Sequence, residues 1–534
     1  MMKRFGIKTL KLRAAFRAHA FAAALLLACV PAAAQHEGHT PPTPTPAPAG
    51  AGKTTQTPAA SPTPTAPQPH DPSQHDHHQT PQPSGEAKET KATQPTAGAP
   101  PASGAEAGHA GHTSGADADD LMVMSGGQMG VRVGASQTHW TPMGQMGSGT
   151  AWQPASTQVP MWHKRAGDWL LMMHGEAKLG VNSQGGPRGV TKFESQNWLM
   201  PMAFRRVGRG TLQLRGMFSL EPLTFSGAGS PQIFQVGEVY RGQPLHDFQH
   251  PHDLLMELSA QYTLPVGERA TWYTYFGYPG EPALGPVAFM HRASASENPS
   301  APLAHHLQDA THIVFGVLTT GFTYRWLKLE GSVFNGREPD EHRYGFEAGA
   351  WDSRAARVTV APNGNWALQY SYGFLKDPEQ LAPGDVHRQT ASVQYNRQRA
   401  RGGLATALIW GRNREEHDGQ TFRLNSYTAE ATLNFLDKNY LYTRLELVDR
   451  EGDDLFDHDE LHDLGFGEDE HPQFRLGAYT FGAARDLWTT AGWSVALGGD
   501  FTFYSKPAVL DAPYGRHPTS YKLFLRIRPG RSRP

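Results

Sequence analysis

The chain has 534 residues, and its 48 Lys and Arg against 50 Asp and Glu give a formal net charge of −2, so no overall basic field is present to attract nucleic acid. A single cysteine excludes a disulfide framework and a Cys-ligated zinc site. Large aliphatic residues are spread too thinly for several packed cores, which favours one large structural unit.

Residues 1–34 have the pattern of an export signal. The first 19 residues carry six Lys or Arg and no acidic residue, and residues 20–30 form an apolar run of the length that a signal peptide needs. Ala32 to Ala34 offer the small side chains that signal peptidase reads, so we expect cleavage after Ala34. In a competing interpretation, residues 26–29 resemble a bacterial lipobox, and Cys29 becomes the lipidated first residue.

Residues 35–120 contain no Phe, Trp, Tyr, Val, Ile, Leu or Met. Such a segment cannot offset the entropy of ordering its backbone, so we expect a disordered Pro/Ala/Thr/His-rich tether in the periplasm. Its histidines include His75, His77 and His78 in the sequence HDHH, which is close enough spacing for two imidazoles to meet one cation. The alternative is that these histidines are only polar spacers.

Residues 121–160 form a Met/Gly-rich pre-barrel segment that adds soft metal ligands. Its methionines are Met122, Met124, Met129, Met143 and Met146. Thioether sulfur suits Cu(I). An equally good interpretation is that these methionines plug a pore or pack under a loop.

Residues 161–534 have the pattern of an all-β domain that crosses a membrane. No apolar run after the signal reaches the roughly 18 residues that a membrane-spanning helix needs. From Trp169 onward, stretches of about ten residues alternate between polar and apolar side chains and are separated by turn residues. This alternation over nearly the whole domain predicts a transmembrane antiparallel β-barrel of about 16 strands, with a polar lumen and an apolar wall facing lipid.

Two further features indicate an outer-membrane barrel. Aromatic residues near predicted strand ends, such as Trp272, Tyr273 and Tyr275, predict interfacial girdles. The last strand, around residues 521–528, resembles the C-terminal strand that guides outer-membrane barrel assembly. The expected partners are therefore outer-membrane lipids and the barrel assembly machinery.

The first candidate metal site lies between two predicted strands. Its possible ligands are His246, Asp247, His250, His252 and Asp253. Pro251 fixes the backbone so that the two histidines beside it lie on one side of an extended chain, which suits chelation of one divalent ion. Either aspartate would orient an imidazole through its second ring nitrogen. The alternative is a polar loop that forms hydrogen bonds across the lumen.

The second candidate site follows the next predicted strand. Its possible ligands are His291, His305, His306, Asp309 and His312. His305, Asp309 and His312 would share one face of a short helical turn, a spacing that permits a metal site without demanding one. The barrel contains no nucleophile elbow, P-loop or H-E-x-x-H motif, so we expect no enzymatic activity.

Four long motifs resemble a family of Gram-negative outer-membrane proteins to which no activity is assigned. These motifs are QHPHDLLMEL, EPALGPVAFMHR, LAHHLQDATHI and LEGSVFNGREPDE. The resemblance implies a common lumen architecture built around their histidines, and it implies no reaction. More loosely, a His/Met-rich exported segment ahead of a barrel is similar to the copper-resistance outer-membrane protein B family, although the Met-Asp-His-type repeats of that family are absent here.

Three functional hypotheses follow from the sequence. The first is an outer-membrane barrel that handles copper or another divalent metal ion, in binding, resistance or export, through its His/Met-rich segments. The second is a passive porin for small polar solutes, whose histidines form structural hydrogen-bond networks. The third is a barrel hydrolase of lipid or glycan, for which the sequence offers no catalytic motif.

Overall fold

The computed structural model describes residues 121–530, apart from residues 238, 382 and 418. The predicted signal peptide (residues 1–34, with Cys29) and the predicted tether (residues 35–120, with His75, His77 and His78) lie outside the described residues. Within the described part of the chain, no helix is long and apolar enough to cross a membrane.

Strands make up most of the described chain, and the helices are short. The strands are β1 (Met122–Ser125), β2 (Gln128–Arg132), β3 (Trp140–Pro142), β4 (Trp162–Ala166), β5 (Trp169–Gln184), β6 (Thr191–Val207), β7 (Gly210–Phe218), β8 (Ser230–Pro231), β9 (Val239–Tyr240), β10 (Gln243–Pro244), β11 (Phe248–Gln249), β12 (Leu255–Val266), β13 (Ala270–Gly277), β14 (Val317–Tyr324), β15 (Leu327–Phe334), β16 (Ser353–Val360), β17 (Trp366–Leu375), β18 (Asp385–Arg399), β19 (Gly402–His417), β20 (Gln420–Phe435), β21 (Asn439–Glu451), β22 (Gln473–Thr489), β23 (Trp493–Ser505) and β24 (Thr519–Pro529). The α-helices are α1 (Glu221–Thr224), α2 (His305–Gln308), α3 (Gly452–Leu455), α4 (His458–Asp463) and α5 (Asp511–Tyr514). The 3-10 turns are Met143–Gln145, Phe289–His291, Ala310–His312 and Ala508–Leu510.

The wall is a closed antiparallel barrel with 16 strand positions. Strands β5 to β7 and β12 to β23 occupy one position each. The last position is shared, because β24 pairs with residues 177–184 of β5 while the short β4 pairs with residues 169–173 of the same strand. The predicted fold class, a transmembrane antiparallel barrel of about 16 strands, is confirmed.

The wall is polar inside and apolar outside, as the alternation predicts. On β20, Glu430 faces the lumen and is 3 % exposed, whereas Tyr427 and Leu433 on the other face are 47 % and 41 % exposed. Successive side chains of a strand point to opposite faces, so the polar residues of an alternating strand face the lumen while the apolar residues between them face the lipid. Among the largest fully buried side chains are five arginines, Arg292, Arg388, Arg444, Arg450 and Arg526.

Two of the aromatic residues that were predicted to form the interfacial girdle face the lumen and not the lipid. Trp272 faces outward and is exposed, but Tyr273 and Tyr275 are buried in the lumen. Their hydroxyls donate hydrogen bonds to Glu330 (2.5 Å) and Glu257 (2.8 Å). The prediction was wrong for these two tyrosines because strand alternation, and not residue type, decides which side chains face the lumen.

The two ends of the barrel differ in the length of their connections. At the turn end, strands are joined by short turns such as residues 208–209 and 400–401. At the loop end most of the connections are longer, and two of them fold inward: residues 219–254 between β7 and β12, and residues 278–316 between β13 and β14. We call residues 278–316 the luminal insert.

The luminal insert crosses the inside of the barrel. Through Asn298, Gly285 and Ser294 it forms hydrogen bonds with β5, β17 and β20, which lie on different sides of the wall. Its polar backbone thus finds partners inside the lumen, as a buried irregular segment requires. The insert fills a space that an open porin of this strand number leaves to water.

The pre-barrel segment fills the lumen on the side of the turn end. Its strands β1, β2 and β3 form a small antiparallel sheet. The backbone N–H of Gly134 donates to Thr211 on β7 (2.8 Å), and the hydroxyl of Thr150 donates to Glu330 on β15 (2.6 Å). The lumen is therefore occupied from both ends.

Candidate functional site

A buried ion-pair network fastens the luminal insert to the wall. The Arg292 guanidinium donates to both oxygens of Glu430 on β20, at 2.7 and 3.1 Å, and to Asp309 at 2.9 Å. Arg444 on β21 donates to Glu430 at 2.8 Å. Buried charges persist only when they are paired and hydrogen-bonded, so this network fixes the position of Asp309 within the lumen.

Five buried histidines next to this network form a closed ring, in which each imidazole neighbours two others. The ring-centroid distances are 5.0 Å for His305 and His312, 5.3 Å for His312 and His252, 6.3 Å for His252 and His250, 6.3 Å for His250 and His306, and 5.4 Å for His306 and His305. Two of these residues come from the connection 219–254 and three from the luminal insert. The two histidine patches that the sequence predicts separately thus meet, and we call these five residues the histidine ring.

Hydrogen bonds at Nδ1 orient three of these imidazoles. Nδ1 of His252 lies 2.7 Å from Glu221 Oε2, an oxygen that also accepts the backbone N–H of His252 at 3.0 Å. Nδ1 of His305 lies 2.7 Å from Asp309 Oδ1, and Nδ1 of His312 donates to the Asp309 carbonyl oxygen at 2.9 Å. Acceptors at Nδ1 leave Nε2 with its lone pair, the arrangement typical of metal-ligating histidines.

Several ring nitrogens of the histidine ring are buried without a hydrogen-bond partner. These atoms are Nε2 of His252, Nε2 of His312 and both ring nitrogens of His306. His250 differs from these three residues, because its Nδ1 lies 3.0 Å from the carbonyl oxygen of Pro251. A buried polar atom left unpaired costs about 1–3 kcal/mol, so a group that pairs with these nitrogens would stabilise this part of the lumen.

Two carboxylates extend the histidine ring at His306. Ligand atoms of His306, Glu338 and Glu379 all lie within 4.8 Å of one another. Nδ1 of His306 is 3.4 Å from Glu338 Oε2. Glu338 comes from the connection between β15 and β16 and Glu379 from that between β17 and β18, so this part of the site faces the loop end.

Burial keeps two of these imidazoles, His305 and His312, neutral. It lowers the pKa of His305 to about 4, against the opposing effect of Asp309, and lowers the pKa of His312 well below the ordinary 6.5. Burial raises the pKa of Asp309, but the hydrogen bond from His305 and the charge of Arg292 outweigh it, so this pKa is lowered overall. Neutral imidazoles beside an ionised carboxylate are the protonation states that metal binding needs.

The remaining residues of the first predicted site serve other contacts. His246 lies toward the loop end, where its Nε2 is 3.7 Å from Oδ1 of Asp457. Asp247 accepts a hydrogen bond from Arg188 at 2.5 Å, and Asp253 accepts one from Arg343 at 3.3 Å. The carboxylate that orients His252 is therefore Glu221, and not one of the two aspartates that the sequence suggests.

The sequence interpretation missed three carboxylates of this site, Glu221, Glu338 and Glu379. Each stands next to a proline in a connection at the loop end, in the tripeptides Glu-Pro-Leu, Glu-Pro-Asp and Pro-Glu-Gln. Proline ends regular structure, so a glutamate beside it at a strand exit is free to turn inward. A glutamate next to a proline at a strand exit is therefore the sequence pattern by which these carboxylates could have been identified.

His291 is not a member of the histidine ring and instead contacts a methionine cluster between the pre-barrel segment and the wall. The buried members are Met143, Met161, Met172, Met200, Met202, Met217 and Met256, and Met122, Met129, Met146 and Met290 pack against them. Nε2 of His291 is 3.3 Å from the Met217 sulfur, and its ring centroid is 5.6 Å from that of His174 on β5. Both histidines line a cavity of about 130 Å³.

No protein-family model matches this chain, and no curated protein matches it. Similar solved structures include an anion-selective porin from Comamonas acidovorans, at 10 % identity over 67 % of this chain and 99 % of that chain with a TM-score of 0.40. Salmonella typhi OmpF in complex with daunomycin is 11 % identical over 69 % and 100 % (TM-score 0.42), and the channel DcaP of Acinetobacter baumannii is 10 % identical over 68 % and 99 % (TM-score 0.39). The chain is a closed antiparallel β-barrel of 16 strand positions with an apolar outer face, which is the architecture of a membrane-spanning β-barrel protein.

Proposed function

We propose that this outer-membrane barrel binds a divalent transition-metal ion in its lumen, at the histidine ring. The observation that carries the proposal is the closed ring of five buried imidazoles with unpartnered nitrogens on His252, His306 and His312. Imidazole binds Cu(II), Zn(II) and Ni(II), which are therefore the candidate ions.

The surroundings of the ring favour a cation. Glu221 and Asp309 accept hydrogen bonds from imidazoles and strengthen the electron-pair donation of the opposite nitrogen. Glu338 and Glu379 add carboxylate oxygens beside His306. In outer-membrane barrels the longer loops face the exterior and the short turns face the periplasm. An ion held here would lie inside the wall near the exterior, a location that suits metal resistance or export.

Calorimetric titration of Zn(II) into the full-length protein in detergent tests this proposal. We expect a site with a Kd below about 1 µM, equivalent to about −8 kcal/mol. The double variant His252→Gln with His312→Gln should weaken this site by about a hundredfold or more, because both lose a ligand nitrogen, and Glu221→Gln should weaken it about tenfold by releasing one ring.

The matched control replaces two histidines that lie outside the lumen, His387 and His517, by glutamine. His387 forms a hydrogen bond with Tyr372 on the outer face of the wall, and His517 is exposed. The histidines of residues 35–120 are unchanged in every variant, so their binding cancels in the comparison. Equal Zn(II) affinity in the His252/His312 variant, the control and the wild type would refute the proposal.

The site should tolerate mild acid. Because the pKa of His305 lies near 4 and that of His312 is also lowered, protons compete with the metal at these two residues only well below pH 6. We expect the Kd to change by less than about threefold between pH 7.5 and 5.5, whereas ordinary imidazoles of pKa near 6.5 lose about tenfold each. Co(II) absorption measured across this range checks the prediction, and weakening that begins near pH 6.5 would contradict it.

A passive channel for small polar solutes is the second candidate. The observation in its favour is a cavity of about 350 Å³ on the side of the turn end, which includes the exposed residues Arg269 and Arg325 in its lining and thus offers cationic groups to a small anion. Steady conductance of the wild-type protein in a planar bilayer, unchanged by Zn(II), would favour this candidate over the metal site.

A further inference from the structure

The methionine cluster holds 11 of the chain's 15 methionines. Methionine fills irregular apolar space well, so most of these side chains serve packing between the pre-barrel segment and the wall. One of them differs from its neighbours, because the Met217 sulfur lies against a ring nitrogen, Nε2 of His291, at 3.3 Å. A sulfur aimed at an imidazole nitrogen is a ligand-type contact.

A second imidazole stands beside this pair. His174 is 7 % exposed, and its Nε2 is buried without a hydrogen-bond partner. Its ring centroid is 5.0 Å from that of Trp198 and 5.6 Å from that of His291. The cavity that both histidines line, together with Met146, has a volume of about 130 Å³, which is ample for one ion.

We propose that Met217, His174 and His291 form a second metal site, which takes a soft monovalent ion such as Cu(I) or Ag(I). The proposal goes beyond the function proposed above, since it uses other residues and another ligand chemistry. Thioether sulfur selects soft ions and is a poor ligand for Zn(II) or Ni(II).

The charge of the three ligands also favours a monovalent ion over a divalent one. A thioether and two neutral imidazoles contribute no negative charge, so a monovalent ion leaves a smaller net charge in this buried space than a divalent one. The arginines beside this space are paired with carboxylates. Arg215 donates to Glu257 at 2.8 Å. Arg292, which follows His291 in the chain, donates to Glu430 at 2.7 Å. A single positive charge is consequently tolerated here at lower cost than a double one.

Binding of Ag(I) to the full-length protein in chloride-free buffer tests this site, because Ag(I) needs no reductant. Met217→Leu removes the sulfur and nearly preserves the side-chain volume. Met256→Leu, a buried member of the same cluster, is the matched control. We expect Met217→Leu to lower the bound Ag(I) by one ion per chain, or to weaken that ion about tenfold or more, while Met256→Leu binds like the wild type.

A substitute variant and a comparison between the two metal sites complete this test. If Met217→Leu loses heat-modifiable migration and has not folded, His174→Gln takes its place with the same expected loss. Zn(II) affinity should be unchanged in Met217→Leu, and Ag(I) binding should be unchanged in the His252/His312 variant, so the two sites succeed or fail separately. Equal Ag(I) binding by Met217→Leu, or by its replacement His174→Gln, and by Met256→Leu would overturn the proposal and leave the 3.3 Å contact as a hydrogen bond to sulfur.

Discussion

Replacing Arg292 by methionine should destabilise the folded barrel by about 3–5 kcal/mol, because it leaves buried carboxylates without their cation. The guanidinium is fully buried and donates to Glu430 and Asp309. Arg444 retains its hydrogen bond to Glu430, but Asp309 loses the cation that fixes it. We therefore also expect weaker Zn(II) binding, since Asp309 orients His305.

Urea unfolding in detergent, followed by heat-modifiable migration, measures this loss. The matched control is Arg401→Met, which breaks an exposed ion pair with Asp437 at 3.1 Å. Surface pairs contribute about 0–1 kcal/mol, so the control should shift the midpoint little. Similar midpoints for the two variants would show that the luminal network adds no more than a surface pair.

Replacing the luminal insert by a short hairpin turn should open the barrel to ions. Gly277 and Val317 at the two ends of the insert are directly opposite each other in the ladder of β13 and β14, so a tight turn can join them without a change of register. The cavity beside His174 is lined by the insert on one side and by wall residues such as Gln398 and Asn434 on the other. Removing the insert connects this cavity to the loop end.

Planar-bilayer recordings compare this variant with the wild type. We expect a conductance step smaller than that of an unobstructed barrel of 16 strands, because the pre-barrel segment and the connection 219–254 still occupy part of the lumen. The control shortens the exposed stretch 467–470 in the connection between β21 and β22 and should conduct like the wild type. A correctly folded deletion variant with unchanged conductance would show that the remaining segments close the lumen unaided.

The wall was predictable from the sequence because strand alternation is a local property. Leu171 faces outside and His174 inside because they are three residues apart on one strand, and an odd spacing puts two side chains on opposite faces. The contacts of His252 with His312 were not predictable from spacing, since 60 residues and two strands separate them in the sequence. Only the closed barrel brings the connection 219–254 against the luminal insert.

The chemistry of the site was predictable in part. Imidazoles at His250, His252, His305, His306 and His312 stood out as ligand types, and the structure brings them together. The orienting carboxylate Glu221 lay too far away in sequence to be associated with them. Asp247 and Asp253 were adjacent in sequence but bind Arg188 and Arg343, because arginine satisfies a buried carboxylate more completely than imidazole does.

The wall closes where β24 and β4 share one strand position beside β5. Next to this junction, Trp162 of β4 donates its indole N–H to the carbonyl oxygen of Gly492, in the turn before β23, at 2.6 Å, a contact between residues 330 positions apart. The rings of Trp162 and Trp493 also pack edge to face, with their centroids 4.3 Å apart. Contacts between residues so far apart in the sequence require a long loop to be closed first, which costs entropy. We therefore expect closure of the wall to be slower than formation of its hairpins, whose strands are neighbours in the sequence.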